Sequence, residues 1–515
     1  MNENRQSRDR VVVIGAGIGG LCSAIALSAA GFDVTVIESR EYPGGKMREV
    51  PVGGLGVDSG PTVFTMKWVF DELFDEAGLS FDDRVALIPA RILARHGWRD
   101  GTSLDLFAEV EESVAAIAEF AGHENADGYR RFARDSERVF DTLKRSYIAA
   151  PRPGPIDLVR RIGPLNIGDM LALKPFDTLW KALGGYFSDP RLRQLFGRYA
   201  TYCGSSPYRS PATLMLVAHV EQDGVWFVEG GMHALARALA EAAEGLGAAF
   251  RYGEGVVEIS VDDRVSGVML TSGERLDADA VIFNGDASAI ASILPAAAHA
   301  PKPVPAAKRS LSAQTWSMRA KTGGFPLSRH TVFFSDDYRA EFDTIFDERG
   351  LPEQPTVYIC AQDRDDYGTL SENGGEGERL LCLINAPADG DTRRFEEREV
   401  EEWLGKTCDH LGRCGLSLDP ISAVPTGPAD FEKLFPGSGG ALYGRASHGW
   451  MASFQRQGSR TKIPGLYLAG GSVHPGPGVP MAALSGRLAA ESLVADRASM
   501  PRFRPAAISG GTLTG

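Results

Sequence analysis

Residues 10–48 read RVVVIGAGIGGLCSAIALSAAGFDVTVIESREYPGGKMR, and the fold follows from this stretch. Residues 11–14 are a short apolar run rich in β-branched side chains, the composition of a buried parallel strand. Gly15, Gly17 and Gly20 then form GxGxxG. Residues 21–30 have helix-forming composition, and Gly31 ends them. Residues 34–37 are a second strand, with Glu38 at its C-terminal end. Each part has a physical task. Gly15 permits the tight turn, Gly17 lets a pyrophosphate approach the backbone, and Gly20 lets helix and strand pack closely. The helix N-terminus offers free N–H groups and a positive dipole end to phosphate. Glu38 can accept hydrogen bonds from ribose hydroxyls. A lone GxGxxG is weak; strand, glycines, helix, strand and acid in order predict dinucleotide binding.

Two further stretches extend this reading. Pro43-Gly44-Gly45-Lys46-Met47-Arg48 is a Gly-Gly-basic turn that can touch the diphosphate a second time. Near the C-terminus, residues 465–472 read GLYLAGGS and 473–482 read VHPGPGVPMA. The first is a strand at 466–469 followed by Gly470 and Gly471, which allow close backbone approach to phosphate or ribityl oxygens. Pro480 suits the first position of a helix, expected over 481–496, because its missing N–H is not needed there. That helix would aim its N-terminus at whatever lies over Gly478, Val479 and Met481.

The whole chain sets the bounds. At 515 residues it can bury a large core and is expected to hold two domains. A hydrophobic content of 43% and a charged content of 23% are those of an ordinary globular protein. The net charge of −13 argues against nucleic acid as a partner. The six cysteines have no metal-ligand spacing, so no metal site is expected and a reducing compartment is. The polar start MNENRQSRDR is not a secretory signal, and no apolar run reaches the length of a membrane-spanning helix.

Along the chain, helices are expected over 69–77, from about 111 to 147, and over 396–411. A hairpin is expected over 91–106, turning at Arg99-Asp100-Gly101. A meander of short strands is expected over 250–279, then a buried strand over 280–283 that returns to the nucleotide sheet. Strands at 331–334, 356–360 and 380–385 belong to a second sheet. Residues 363–379 are an acidic, Gly-rich loop. Residues 144–198 carry ten Lys/Arg against four Asp, a surplus of six in an acidic chain. Leu165, Ile167, Leu171, Phe176, Leu179, Leu183 and Phe187 are interleaved with them. Two readings fit that segment: helices lying on an anionic membrane, or core helices with a solvated charged face.

Asp58-Ser59-Gly60-Pro61-Thr62 resembles the segment that passes beside the isoalloxazine in the flavin amine oxidase and carotenoid desaturase superfamily. With the terminal motifs it makes FAD, rather than NAD, the expected cofactor. The chain resembles the carotenoid and retinoid oxidoreductase family of the phytoene desaturase type over essentially everything after residue 9. The stretches that carry the resemblance are GLGVDSGPTVFTMKWVFDE (54–72), LFGRYATYCGSSPYRSPATLMLVAHVE (195–221), VFFSDDYRAEF (332–342) and LYGRASHGWMASF (442–454). The last three point to members that desaturate the C-3,4 bond of 1-hydroxylated acyclic carotenoids. Two departures stand out. Gly471 occupies a position where many relatives carry an acid that holds the ribityl, so that contact must come from elsewhere. Lys46 stands where Arg is frequent, which keeps the charge and loses the bidentate fork.

The resemblance implies an α/β fold. A Rossmann-like FAD-binding domain would be built from residues 10–95, 225–299 and 431–500. A second, substrate domain of mixed sheet and helices would take 96–224 and 300–430, with tails at 1–9 and 501–515. Gly15, Gly17, Gly20, Glu38, Lys46, Gly60, Gly470, Gly471, Gly478, Val479 and Met481 would bind FAD, and Val256 would present its backbone to the adenine. The implied reaction takes hydride from an acyclic carotenoid to flavin N5 and then loses a proton, with oxygen or quinone as final acceptor. The implied location is cytoplasmic, peripheral to the inner membrane, on its lipid surface. The substrate's 1-hydroxyl needs one polar partner deep in an apolar tunnel; His219, Glu221, His448 and His233 are candidates, each also readable as a structural residue. Rival readings are a phytoene desaturase, a carotene isomerase or retinol saturase, a flavin amine oxidase, and a non-enzymatic isoprenoid escort protein.

Overall fold

The computed structural model describes residues 9–296, 299–371 and 376–499. The tails expected at 1–9 and 501–515 lie, but for Asp9, outside the described residues, as do residues 372–375 of the acidic loop. Strand β1 (Arg10–Ile14), helix α1 (Ile18–Ala29) and strand β2 (Asp33–Ile37) form the opening unit. The glycine turn is tighter than expected, so the helix begins at Ile18 directly after Gly17. β1 is central in a five-stranded parallel sheet. β2 and then Ala249–Arg251 lie on one side of it; Ala280–Phe283 and then Leu466–Leu468 lie on the other.

Both faces of this sheet are covered, which is why its strands are continuously apolar. Val11 and Val13 pack into the core that contains α1, the helix Met232–Gly245 and the C-terminal helix Val479–Ser499. Val12 and Val281 point the other way, into a second core beneath the meander Val256–Val261, Val265–Leu270 and Arg275–Asp277. Pro480 falls in the first turn of the C-terminal helix, which runs past the expected end at both termini.

The second sheet has seven strands. Its order is Leu416–Thr426, Ser312–Gly324, Glu378–Ala386, Val357–Ala361, His330–Phe333, Ile92–Gly97 and Ser103–Phe107. All neighbours are antiparallel except His330–Phe333 and Ile92–Gly97. The boundary expected between residues 95 and 96 therefore falls inside a strand. The whole hairpin belongs to this sheet, because the parallel pairing with His330–Phe333 holds it there. Helix Glu397–Arg413 covers one face through Leu411, against Trp316 and Ile359.

The helical region is more divided than its composition suggests. Val110–Ala121 and His123–Leu143 are separate helices, broken at Gly122, whose φ of +88° favours glycine. The basic segment splits in two. Leu179, Leu183 and Phe187 are fully buried. Leu165, Ile167, Leu171 and Phe176, in and around the short helices Pro155–Ile162 and Ile167–Ala172, are exposed at 92%, 60%, 71% and 80%. The core reading describes the part around Leu179, Leu183 and Phe187, and the part around Leu165, Ile167, Leu171 and Phe176 is an exposed apolar and basic surface. Among the described residues, no helix is long and apolar enough to cross a membrane.

Candidate active site

The turn after β1 is held from three sides. The Gly15 N–H donates to Ile37 O at 2.8 Å, and the Asn284 amide donates to Gly15 O at 3.1 Å. Glu38 accepts from the Ala16 N–H at 2.8 Å, so the acid that ends β2 also braces the glycine turn. The Gly-Gly-basic turn docks on the first: the Gly44 N–H donates to Ala16 O at 2.8 Å. A Cβ on Gly45 would stand 3.1 Å from the Gly17 Cα. Gly20 faces away from the cavity, where a Cβ would meet Gly15 O at 2.1 Å; it serves helix–strand packing, as its spacing suggested.

The C-terminal motif meets the same place. A Cβ on Gly19 would lie 2.7 Å from the Gly470 nitrogen, and the Gly470 N–H donates to Ser485 Oγ at 2.7 Å. The Ala482 N–H donates to Gly478 O at 2.9 Å, so Gly478 opens the last helix. Asp58 accepts from the backbone N–H groups of Met232 and His233 at 2.7 and 3.1 Å, capping the helix Met232–Gly245. Gly60 crosses the Lys46 carbonyl so closely that a Cβ would stand 1.9 Å from its oxygen.

These pieces line one cavity of about 840 Å³. Gly15, Gly17, Glu38, Lys46, Gly60, Val256, Gly470, Gly471, Gly478, Val479 and Met481 all lie on its wall. Three charged groups stand at this end: Lys46 of the Gly-Gly-basic turn, and Asp286 and Arg456, which belong to no motif read from the sequence. Lys46 Nζ donates to Leu442 O at 2.7 Å, and burial pulls its pKa below the usual lysine range while nearby Asp286 opposes the shift. Arg456 donates to the carbonyls of Tyr443 and Arg445 at 3.0 and 2.7 Å. Asp286 Oδ2 is buried with no hydrogen-bond partner among the described residues.

The chain matches the flavin-containing amine oxidoreductase family over residues 18–494. It belongs to that family. A hydroxyneurosporene desaturase of Rubrivivax gelatinosus is 52% identical over 511 residues, covering 98% of this chain and 97% of the relative. One of Cereibacter sphaeroides is 45% identical over 508 residues, covering 97% and 100%. A 1-hydroxycarotenoid 3,4-desaturase of a Flavobacterium species is 31% identical over 502 residues, covering 94% and 98%. Among solved structures, an oxidoreductase from Methanosarcina mazei shares the fold at a TM-score of 0.60 and 16% identity, covering 94% of this chain and 100% of the other. Cyclohexylamine oxidase from Brevibacterium oxydans does so at 0.54 and 15%, covering 95% and 100%.

A flavin is the cofactor of this flavin-containing family, and the cavity of this member fits one. The cradle of Gly17, Gly44 and Gly45 is bare backbone, which a phosphate can approach. The orphaned Asp286 oxygen is a buried acceptor in want of a hydroxyl donor, at the end of the cavity where Gly471 lacks the acid of other relatives. The signal for Asp286 was its place just after the strand that returns to the sheet; Arg456 had none.

The rest of the cavity wall is largely apolar, with Leu143, Leu158, Leu173, Val217, Trp450 and Phe454 on it. One polar cluster interrupts it. Tyr199 OH donates to Glu221 Oε2 at 2.8 Å, and Arg198 Nη1 donates to Tyr202 OH at 2.8 Å. Burial raises the Glu221 carboxyl pKa, while hydrogen bonds from Tyr199 and Tyr202 oppose the rise. Tyr358 OH is shared between Thr62 Oγ1 at 2.6 Å and His330 Nδ1 at 2.8 Å. Burial pushes the His330 pKa down to about 3, so the ring is neutral.

Of the four polar candidates for a substrate hydroxyl, only Glu221 reaches the cavity wall. His219 packs on Phe140, with ring centroids 5.0 Å apart. His448 Nε2 accepts from the Ser206 N–H at 3.0 Å, and burial lowers its pKa to about 4. His233 pairs its Nε2 with Pro43 O at 3.0 Å and supports the Gly44 turn. His448 and His233 hold loops through these backbone contacts, and His233 Nδ1 also accepts from Arg237 at 3.0 Å.

Proposed function

We propose that this chain is an FAD-dependent desaturase that introduces a C-3,4 double bond into a 1-hydroxylated acyclic carotenoid, in spheroidene- or spirilloxanthin-type biosynthesis. The observation that carries the reading is the single cavity, whose one end is glycine backbone from both terminal motifs and whose other end is apolar. Desaturase relatives at 52% and 45% identity over nearly the whole chain support it.

When bound, FAD supplies a two-electron acceptor for hydride. The chain's residues do the rest. The α1 N-terminus and the Gly15–Gly17 turn take the pyrophosphate. Glu38 takes ribose hydroxyls, and Val256 presents its backbone to the adenine. Lys46 and Gly60 would border the ring system, and Asp286 would accept from the ribityl in place of the acid missing at Gly471. The N-terminus of the helix Val479–Ser499, at Gly478 and Met481 on the cavity wall, would stabilise negative charge on a bound flavin. The apolar walls exclude water and hold a polyene extended beside the ring, where positioning contributes more than a strong base.

The exposed patch fits a lipid surface. Ile156, Leu165, Leu171 and Phe176 stand in solvent, with Trp450 against Phe176 at 5.7 Å between ring centroids. Arg160, Arg161 and Lys174 are interspersed among them. Leu158, Leu173, Pro175 and Trp450 of this same region line the cavity. A greasy face ringed by cations suits the anionic inner membrane, from its cytoplasmic side. Seated there, the cavity can draw carotenoid directly from lipid, with oxygen or quinone at hand as final acceptor.

The test is incubation of purified, FAD-loaded protein with 1-hydroxyneurosporene in anionic liposomes. The expected result is a red-shifted spectrum from one more conjugated double bond, in a product lighter by two hydrogens. A loaded protein that leaves spectrum and mass unchanged overturns the reading. A red shift without mass change would assign isomerisation, and a colourless protein that cannot take up FAD would favour the escort role.

A further inference from the structure

We propose that the Arg198 guanidinium, braced by Tyr202 and balanced by Glu221, is the anchor that holds the hydroxyl of the substrate. The inference rests on the function proposed above and deepens it by assigning the residue that tells a hydroxylated carotenoid from its hydrocarbon counterpart.

The first support is unused hydrogen-bonding capacity. A guanidinium carries five N–H donors. Among the described residues, the Arg198 guanidinium makes one hydrogen bond, to Tyr202 OH at 2.8 Å, and no carboxylate lies within ion-pair distance of it. Its guanidinium lies over the Tyr202 ring at 5.0 Å and the Tyr358 ring at 5.4 Å, which fixes the group in place. Arg198 lines the cavity. It is therefore a rigid, charged donor facing an apolar chamber with most of its N–H groups unmatched by protein acceptors.

Glu221 does not compete for the same role. Its Oε2 already accepts from Tyr199 at 2.8 Å. Glu221 lies across the tyrosines from Arg198, near enough to interact electrostatically with the guanidinium but without a direct ion pair that would occupy its donors.

The second support is position. In a 1-hydroxylated substrate a single methylene separates the carbinol carbon from the C-3,4 bond. The hydroxyl anchor must therefore sit close to the reacting carbons, at the flavin end of the cavity, and not at its mouth. Arg198 satisfies this. It stacks on Tyr358, and Tyr358 OH is bonded to Thr62 at 2.6 Å. Thr62 ends the Asp58–Thr62 stretch, the one expected beside the flavin ring. The alcohol oxygen accepts from Arg198, and the bond to be oxidised is then set at a fixed offset from that point. A hydrocarbon in the same place leaves the guanidinium desolvated and unmatched, which is how a site built for a hydroxyl rejects an analogue without one.

The experiment uses full-length, FAD-loaded wild type, Arg198→Met, Arg198→Lys and Tyr202→Phe in anionic liposomes. Initial rates are measured with 1-hydroxyneurosporene and with the same polyene lacking the hydroxyl. Flavin absorbance reports loading, and anaerobic titration of the flavin spectrum with each polyene reports binding. The expected result for R198M is full flavin content and a loss of at least about 10-fold in preference for the hydroxylated polyene, seen mainly in KM and in the titration. R198K should recover part of the preference, as a point charge without the fork. Equal losses on both polyenes, or an unchanged preference, overturn the assignment. If R198M does not fold or load, Y202F decides: it removes the brace, and an unaltered preference in Y202F overturns the assignment as well. Failure of the underlying function shows separately, as loaded wild type that converts neither polyene.

Discussion

Gly486 of the C-terminal helix crosses Gly19 of α1 so closely that a Cβ on Gly486 would stand 2.1 Å from the Gly19 carbonyl oxygen. Ser23 Oγ donates across the same crossing to Gly486 O at 3.1 Å. Residues 467 positions apart thus bring the two ends of the chain together, and the Gly470 loop against the first glycine turn.

Gly486→Val should push the two helices apart. Overpacking of this kind costs about 1–3 kcal/mol, and here it also displaces the Gly470 loop from the cavity. The expected outcome is a lower melting temperature together with loss of bound flavin, read from the absorbance of purified protein. A variant that melts and loads like wild type would show that the crossing does not need glycine.

Asp286→Asn should leave the fold intact and weaken flavin retention. The carboxylate oxygen concerned has no hydrogen-bond partner among the described residues, so its change to an amide disturbs no internal bond at that atom. A loss of roughly 10-fold in affinity, about 1.4 kcal/mol, is expected on equilibrium dialysis, the size of one hydrogen bond to a charged group. Undiminished affinity would remove Asp286 from the ribityl role.

Leu171→Glu with Phe176→Glu should abolish co-sedimentation with anionic vesicles. Both side chains stand mostly in solvent, at 71% and 80% exposure, so the melting temperature should not move. Retained sedimentation at low salt would sink the membrane-facing patch.

Acid should destabilise the protein over a defined window. Burial lowers the pKa of His96 and His330 to about 3 and of His448 and His474 to about 4. In the unfolded chain a histidine takes its proton near pH 6.5. Below that pH the unfolded state binds protons that the folded state refuses, so stability is full above pH 6.5 and falls as the pH drops towards 4. Each histidine contributes at most about 1.4 kcal/mol per pH unit in that range. Thermal melts at pH 7.5, 6 and 5 should show a progressive decline; a flat profile would mean these imidazoles are not held neutral.

The nucleotide-binding unit was legible because its signals are local. A strand buried on both faces must be apolar throughout, and a glycine at φ +98°, such as Gly15, marks its own turn. Val11–Val13 and the GxGxxG turn therefore carry their reading within a few residues, as does the Gly470–Gly471 loop. The sequence by itself determined the α/β nucleotide sheet, the acid at Glu38 and the second glycine turn.

Burial was not legible in the same way. Leu171 and Leu183 are the same residue type in the same basic segment, yet one stands in solvent and the other is fully buried. Their composition could not separate them, because burial depends on which distant helix packs against each. The boundary expected at residues 95 and 96 cuts the strand Ile92–Gly97, which its pairing with His330–Phe333, more than 200 residues away, places in the second sheet. The polar cluster is the strongest case. Thr62, the pair Arg198 and Glu221, His330 and Tyr358 come from four separate stretches, and none has a spacing that announces the others. Only the tertiary structure decided that Arg198 faces the cavity and His448 does not. Backbone sterics and periodicity act over neighbouring residues, whereas a site inside a cavity is made by packing among residues that the chain keeps far apart.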